Sequence, residues 1–263
     1  MFIRPPHIPR FSRLSALAVL AALALAAVLP ASALAAPRAP SACDLACVKA
    51  FGDQRLSDRL TALNTLNTRV QTAFNNKHIT GDQEHVLTAD VSTNQSGLNS
   101  LKTKLDAETS EAAARQDVKN IYVQFRIYVV VLPRDYRQLY LDLIINVHDR
   151  MAGLESKLQA AIDKAPPDEQ AQLNPLFADY KGQLAAVENQ IDAAQGELPQ
   201  LTPENFNTTR SAYETALTNL KNDERTAHSD LKLAAGDLHQ MVQILKPHAG
   251  ATPAASPSAT ASA

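Results

Sequence analysis

Apolar residues recur along most of this chain at alternating steps of three and four. Between residues 53 and 74 they fall at Leu56, Leu60, Leu63, Leu66, Val70 and Phe74, a single stripe along one helix. The series breaks at Ile79-Thr80-Gly81-Asp82, where Thr80 or Asp82 can cap a second helix. That helix carries Leu87, Val91, Leu98, Leu101, Leu105 and Ala112, is interrupted by Asn94 and Glu108, and fades near Lys119. A third series, Tyr140, Ile144, Val147, Met151, Leu154, Leu158 and Ala161, runs up to Pro166-Pro167, which closes it. The fourth is the most regular: Leu173, Phe177, Tyr180, Leu184, Val187, Ile191, Ala194 and Leu198 have the spacing of coiled-coil a and d positions. Thr202-Pro203-Glu204 opens the last helix, with Thr202 as N-cap and Pro203 at the first helical position. One of its seven-residue series is Phe206, Tyr213, Leu220, Ala227, Ala234 and Met241; the other is Leu217, Leu231, Leu238 and Leu245. Arg210 and Glu224 interrupt the second series and loosen the seam midway. Unbroken from Pro203 to Leu245, this helix would run about 65 Å at 1.5 Å per residue.

The middle of the chain has a different rhythm. Ile121–Leu132 is the most apolar and β-branched run outside the N-terminal stretch, and its odd positions are all apolar while the even ones include Gln124 and Arg126. Alternation of this kind, in Val, Ile, Tyr and Phe, predicts an extended segment with one face buried; a helical continuation is the alternative. Pro133 then disfavours helix at Leu132. The six prolines between Ser41 and Lys246 stand near helix boundaries, glycine is scarce and the turns are short. The expected fold is therefore all-α: an elongated helical bundle or antiparallel coiled-coil hairpins, with one extended segment at 121–132.

The two ends read differently. Residues 1–36 have the form of a secretory leader: Arg4, Arg10 and Arg13, an apolar stretch from Leu14 to Leu29, Pro30, and small residues at Ala33-Leu34-Ala35-Ala36 for the peptidase. Residues 37–52 are expected to form a short linker and 53–246 the helical domain. Residues 247–263, rich in Ala, Pro, Ser and Thr and without charge, cannot bury enough surface to fold and form a tail. The expected location is therefore extracytoplasmic, secreted or at the cell surface. With the leader's three arginines removed, 22 basic residues face 27 acidic ones, a net charge of −5 without long blocks of one sign. No basic stripe points to nucleic acid.

Candidate chemistry is sparse. Cys43 and Cys47 are four apart, within reach of a disulfide across one helical turn in an oxidising exterior. Pro40-Ser41-Ala42 lacks the aliphatic residue that would make Cys43 a lipid-attachment site. Glu224 and His228, Asp237 and His239, His148 and Asp149, or Asp82 and His85 could each supply part of a metal site; such pairs more often form surface ion pairs, and no metal or other cofactor is expected. There is no His-Glu-x-x-His, no Gly-x-Ser-x-Gly and no phosphate-binding glycine loop. The densest set of cations and aromatics is Tyr122, Arg126, Tyr128, Arg134 and Arg137, with Tyr136 and Tyr140. It could bind an acidic glycan or a protein partner, or it could clamp the central segment to its neighbours.

The passage from Arg59-Leu60-Thr61-Ala62-Leu63 through Gly97-Leu98, Leu105-Asp106-Ala107-Glu108-Thr109 and Asp117-Val118-Lys119 to Phe125-Arg126-Ile127-Tyr128 and Leu132-Pro133 resembles uncharacterised secreted helical proteins of actinobacteria. The resemblance covers residues 56–155. It implies export and a helical fold, and it carries no activity or catalytic residue. This chain departs from the pattern at Asp142-Leu-Ile-Ile-Asn, where those proteins continue with an aliphatic run ending Ala-Ala-Asp. Together these readings point to an exported, non-enzymatic helical protein of the cell envelope: a coiled-coil spacer, scaffold or binding module that meets a protein or cell-wall partner and is able to self-associate. The alternative is a pore-forming or membrane-active protein that uses 121–132.

Overall fold

The computed structural model describes residues 43–246; the expected leader and tail, and the first part of the expected linker, lie outside them. Helix α1, Leu45–Asn75, begins inside the stretch expected to be linker, because Asp44 caps it by accepting a hydrogen bond from the Cys47 amide at 2.9 Å. Helix α2, Gly81–Ala107, opens with a reciprocal capping box between Thr80 and Gln83. The expected second helix does not continue to Lys119. Glu108 adopts extended backbone, and Ser110 caps a separate helix α3, Glu111–Val123.

The extended segment expected over 121–132 is not formed, and no strand occurs among the described residues. Ile121–Val123 finishes α3, Arg126 takes a left-handed conformation at φ 49° and ψ 33°, and Ile127–Val131 forms one π-helical turn. That turn runs directly into α4, Leu132–Ala152; Leu132 is helical at φ −60° and ψ −47° against the expectation from Pro133, and the Val129 carbonyl, four residues before the proline, accepts from the Tyr213 hydroxyl instead. The third apolar series is split near Gly153 into α4 and the short α5, Glu155–Ile162. Helix α6, Pro167–Glu197, is a single rod despite Pro175 in its interior. The last helix is not one piece. Thr202 caps α7, Pro203–Thr208, and Thr209 breaks the line at φ −133° before α8, Arg210–Leu245. Both Thr208 and Thr209 turn their hydroxyls back onto carbonyls four residues earlier, a bond that bends helices.

The polar contacts give the helix directions. Lys102–Asp53, Gln95–Asn64 and Gln71–Glu84 descend along one helix as they climb the other, so α1 and α2 are antiparallel. Arg115 meets the Cys43 carbonyl, Tyr128 the Asp58 carbonyl and Arg69 the Tyr136 ring, so α3, the π turn and α4 form one rod that rises alongside α1. Tyr213 with Val129 and Glu224 with Arg137 place α8 parallel to α4. Between them α6 returns, with the Tyr180 hydroxyl donating to the Met151 carbonyl at 2.6 Å.

Two apolar cores result. The first gathers α1, α2, α3 and one face of the central rod through Ile127, Val131, Leu132, Leu139 and Leu143. The second gathers α6, α8 and the opposite face through Val130, Leu141, Ile144, Val147 and Met151. Helix α4 is shared. The apolar series of α6 from Leu173 to Ala194 is buried as its spacing predicts, and so is the α8 series from Tyr213 to Met241. No helix among the described residues is long and apolar enough to cross a membrane.

Candidate functional site

A helix packed on both faces must place its polar side chains inside the protein, and α4 does so. Five charged residues are buried among the described residues: Arg59, Asp117, Asp135, Asp142 and Glu224. Two stand on α4 itself, and Glu224 meets it from α8. The members of the expected interaction cluster divide among separate ties to neighbouring elements.

Arg59 of α1 enters between Tyr122 and Tyr128, its guanidinium carbon 4.5 Å and 5.1 Å from the ring centres, and donates to the Arg55 carbonyl at 2.8 Å. Burial pushes its pKa down, and the two phenols work against that push. Arg126 lies over the Phe206 ring at 4.8 Å and donates to the Asn207 side-chain oxygen at 2.9 Å and 2.6 Å. The Asn207 amide then donates to the Val123 carbonyl at 2.9 Å, satisfying an acceptor left open where α3 ends. Short α7 thus closes the gap opened by the left-handed residue.

About two turns further along, Arg134 donates to Asp135 at 2.8 Å and also meets Asp90 of α2. Arg137 donates to Glu224 of α8 at 2.7 Å. Asp142 accepts from Gln138 on its own helix at 2.8 Å, and its other oxygen has no hydrogen-bond partner within the protein. Burial pushes Asp142 up to about 6, with Gln138 opposing. It also raises Tyr140, where the Glu224 carboxylate adds to the effect. Tyr213 donates to the Val129 carbonyl at 3.1 Å, and burial pushes its phenol up to about 12.

The proposed metal pairs are placed apart from any shared site. Glu224 is not on the surface, as expected from sequence, but buried against Arg137, and His228 turns its ring edge-on to Tyr140 at 6.4 Å. His148 contacts Asp149 at 3.2 Å, and His239 contacts Gln243. Among the described residues no group of three His, Cys, Asp or Glu side chains is arranged to hold a metal. Cys43 and Cys47 form a disulfide, with Cα atoms 5.3 Å apart, at the start of α1. The Arg115 guanidinium holds the Cys43 carbonyl at 2.8 Å, tying this end to α3.

Sequence reading passed over Arg59, Asp117, Asp135 and Asp142, although spacing marks each. Arg59 is three after Leu56 and four before Leu63. Asp117 stands three after Ala114 and four before Ile121. Asp135 and Asp142 complete the series Leu132, Asp135, Leu139, Asp142. A charge at stripe spacing was the signal. Comparison with protein-family models, with curated proteins and with solved structures gave no match.

Proposed function

We propose that this chain is an exported, non-enzymatic helical protein of the cell envelope that acts as a spacer, scaffold or binding module. The observation that carries the reading is the use made of the central cations and aromatics. Arg59, Arg126, Arg134 and Arg137 spend their donors and faces on neighbouring helices, so the polar chemistry of the chain goes into joining long rods. Side chains bound in this way are positioned for rigidity, and a rigid array of long helices suits a part that holds others at a distance. The leader-like residues 1–36 support export.

The membrane-active reading would need Ile121–Leu132 to leave the protein. Its side chains Ile127, Val130, Val131 and Leu132 serve both cores, so extraction would expose both at once. Twelve residues are also short of the roughly 20 a spanning helix needs. A lone strand would leave its backbone groups unsatisfied in lipid.

Fractionation of producing cells, with N-terminal sequencing, tests the proposal. The expected product is an extracytoplasmic chain beginning near Ala36 that releases no dye from anionic or neutral vesicles. A chain retained in the cytoplasm with Met1 in place would overturn export. Dye release by the purified protein would favour the membrane-active reading instead.

A further inference from the structure

Arg134 and Arg137 stand about one turn apart on α4 and reach to opposite cores. Arg134 meets Asp90 of α2, in the first core, while holding Asp135 beside it on α4. Arg137 meets Glu224 of α8, in the second. The carboxyl groups of Asp135 and Glu224 are almost wholly buried, with their residues 2% and 1% exposed. Each keeps one oxygen, Asp135 Oδ2 and Glu224 Oε1, without a hydrogen-bond partner within the protein. A buried carboxylate with a bare oxygen has lost its water and has not been fully repaid by protein donors.

One guanidinium cannot neutralise two carboxylates. With Asp90 and Asp135 both drawn to Arg134, the more deeply buried of the two is the one that retains a proton. Facing Asp135 are Arg134 from its own helix and Asp90 from α2, with the Tyr213 phenol of α8 acting on Arg134. Facing Glu224 are Arg137 and Tyr140 from α4, and Lys221 and Asp223 along its own helix; His228, one turn on, packs edge-on against Tyr140. From α6, Glu197 acts on Asp223.

We propose that these two arginine–carboxyl sets form a proton-sensitive clamp by which α4 grips α2 and α8, hard to open while Asp135 and Glu224 are protonated and easier to open once both ionise. Burial pushes Asp135 up to about 8 despite Arg134, with Asp90 adding to the push. It pushes Glu224 up to about 7 despite Arg137 and Lys221, with Asp223 adding. Each group therefore holds its proton more firmly in the folded chain than in the unfolded one. Its stabilisation is whole at low pH and is lost as pH rises through those values. This is the reverse of ordinary acid denaturation. His228 acts in the opposite sense, because burial and Lys232 push it below its usual value.

Amide hydrogen exchange on the mature chain reads the clamp directly. Protection of the α4 amides from Leu139 to Ile144, corrected for intrinsic exchange, should fall about tenfold or more between about pH 6.5 and 8.5, because one linked proton gives up to tenfold per pH unit. In the double variant Asp135→Asn, Glu224→Gln that fall should shrink to within about twofold. Glu224→Gln alone keeps an oxygen for Arg137 to bind; if the double variant does not fold, this single change should still remove a measurable share of the fall. Wild-type protection that is flat or rises over this range overturns the proposal, and so does a folded variant, single or double, that retains the full wild-type fall.

Discussion

Helices α6 and α8 meet along an apolar seam, whereas α4 meets its neighbours through arginines, carboxyls and phenols as well as apolar side chains. Both arrangements bury long helices, but they fix alignment differently. Along α6, Leu173, Phe177, Tyr180, Leu184, Val187, Ile191 and Ala194 recur at steps of three and four. A repeat holds two rods together without strongly choosing where one sits along the other. Along α4, Arg134 reaches across to Asp90 of α2 and Arg137 to Glu224 of α8, so a shift of one turn would separate each arginine from its partner on the neighbouring helix. The apolar seam supplies cohesion; the polar ties supply register.

Substitutions can pull these two roles apart. The largest effect should come from Val130→Asp, which puts an unpaired charge where Val130 is fully buried against the second core. A loss of about 4 kcal/mol or more in urea denaturation is expected. Leu184→Ala, in the repeating seam, should cost about 3 kcal/mol through lost contacts and the cavity left behind. That cost should be equal at about pH 6.5 and 8.5, since no proton is involved. Arg137→Ala should also cost about 3 kcal/mol at about pH 8.5, by leaving the Glu224 carboxylate buried and alone. It should cost visibly less at about pH 6.5, where Glu224 can take a proton. Equal pH dependence in the Leu184 and Arg137 variants would erase the distinction between seam and ties. The smallest effect is expected from Gly52→Ala on α1. A Cβ there would lie 2.9 Å from Val118 and overlap Leu105, and both neighbours can shift, so about 2 kcal/mol should be lost. A neutral or stabilising result would mean the first core is looser than its packing implies.

The fourth apolar series and its partner on α8 were legible because a repeated step of three and four has one helical interpretation. Thr80 and Thr202 were equally legible as caps, each three residues ahead of an amide it satisfies. The central stretch was misread for a definite reason. Its odd-position alternation spans Arg126, whose left-handed backbone resets the helical phase, so positions before and after it belong to different helices. After the reset Ile127, Val130 and Val131 are buried, the spacing of a helix and not of a strand. Nothing in the residue type marks Arg126 for φ > 0, where glycine or asparagine would have been the usual sign. The polar ties were half legible. Glu224 stood out as an interruption of a buried series, but its partner Arg137 lies 87 residues away, a distance no local pattern covers. Of the expected cluster, Arg126, Arg134 and Arg137 each meet a different neighbour, on α7, α2 and α8, a division that linear spacing does not show.

The shared rod also bears on the order in which the chain assembles. The α1–α2 and α6–α8 hairpins close over short connections, whereas, apart from Arg134–Asp90 at 44, these ties at the rod join residues separated by 70 (Tyr128–Asp58), 81 (Arg126–Asn207), 84 (Tyr213–Val129) and 87 (Arg137–Glu224) positions. Each doubling of loop length adds about 0.6 kcal/mol of closure entropy, so the hairpins are favoured to form first and the rod to dock late. Contacts made after the rate-limiting barrier influence escape from the native state more than entry to it. Weakening a rod tie, as Arg137→Ala does, should then accelerate unfolding in stopped-flow dichroism while leaving refolding nearly unchanged. The polar chemistry at the centre of the molecule would thus act chiefly as a brake, setting how long an assembled chain stays assembled.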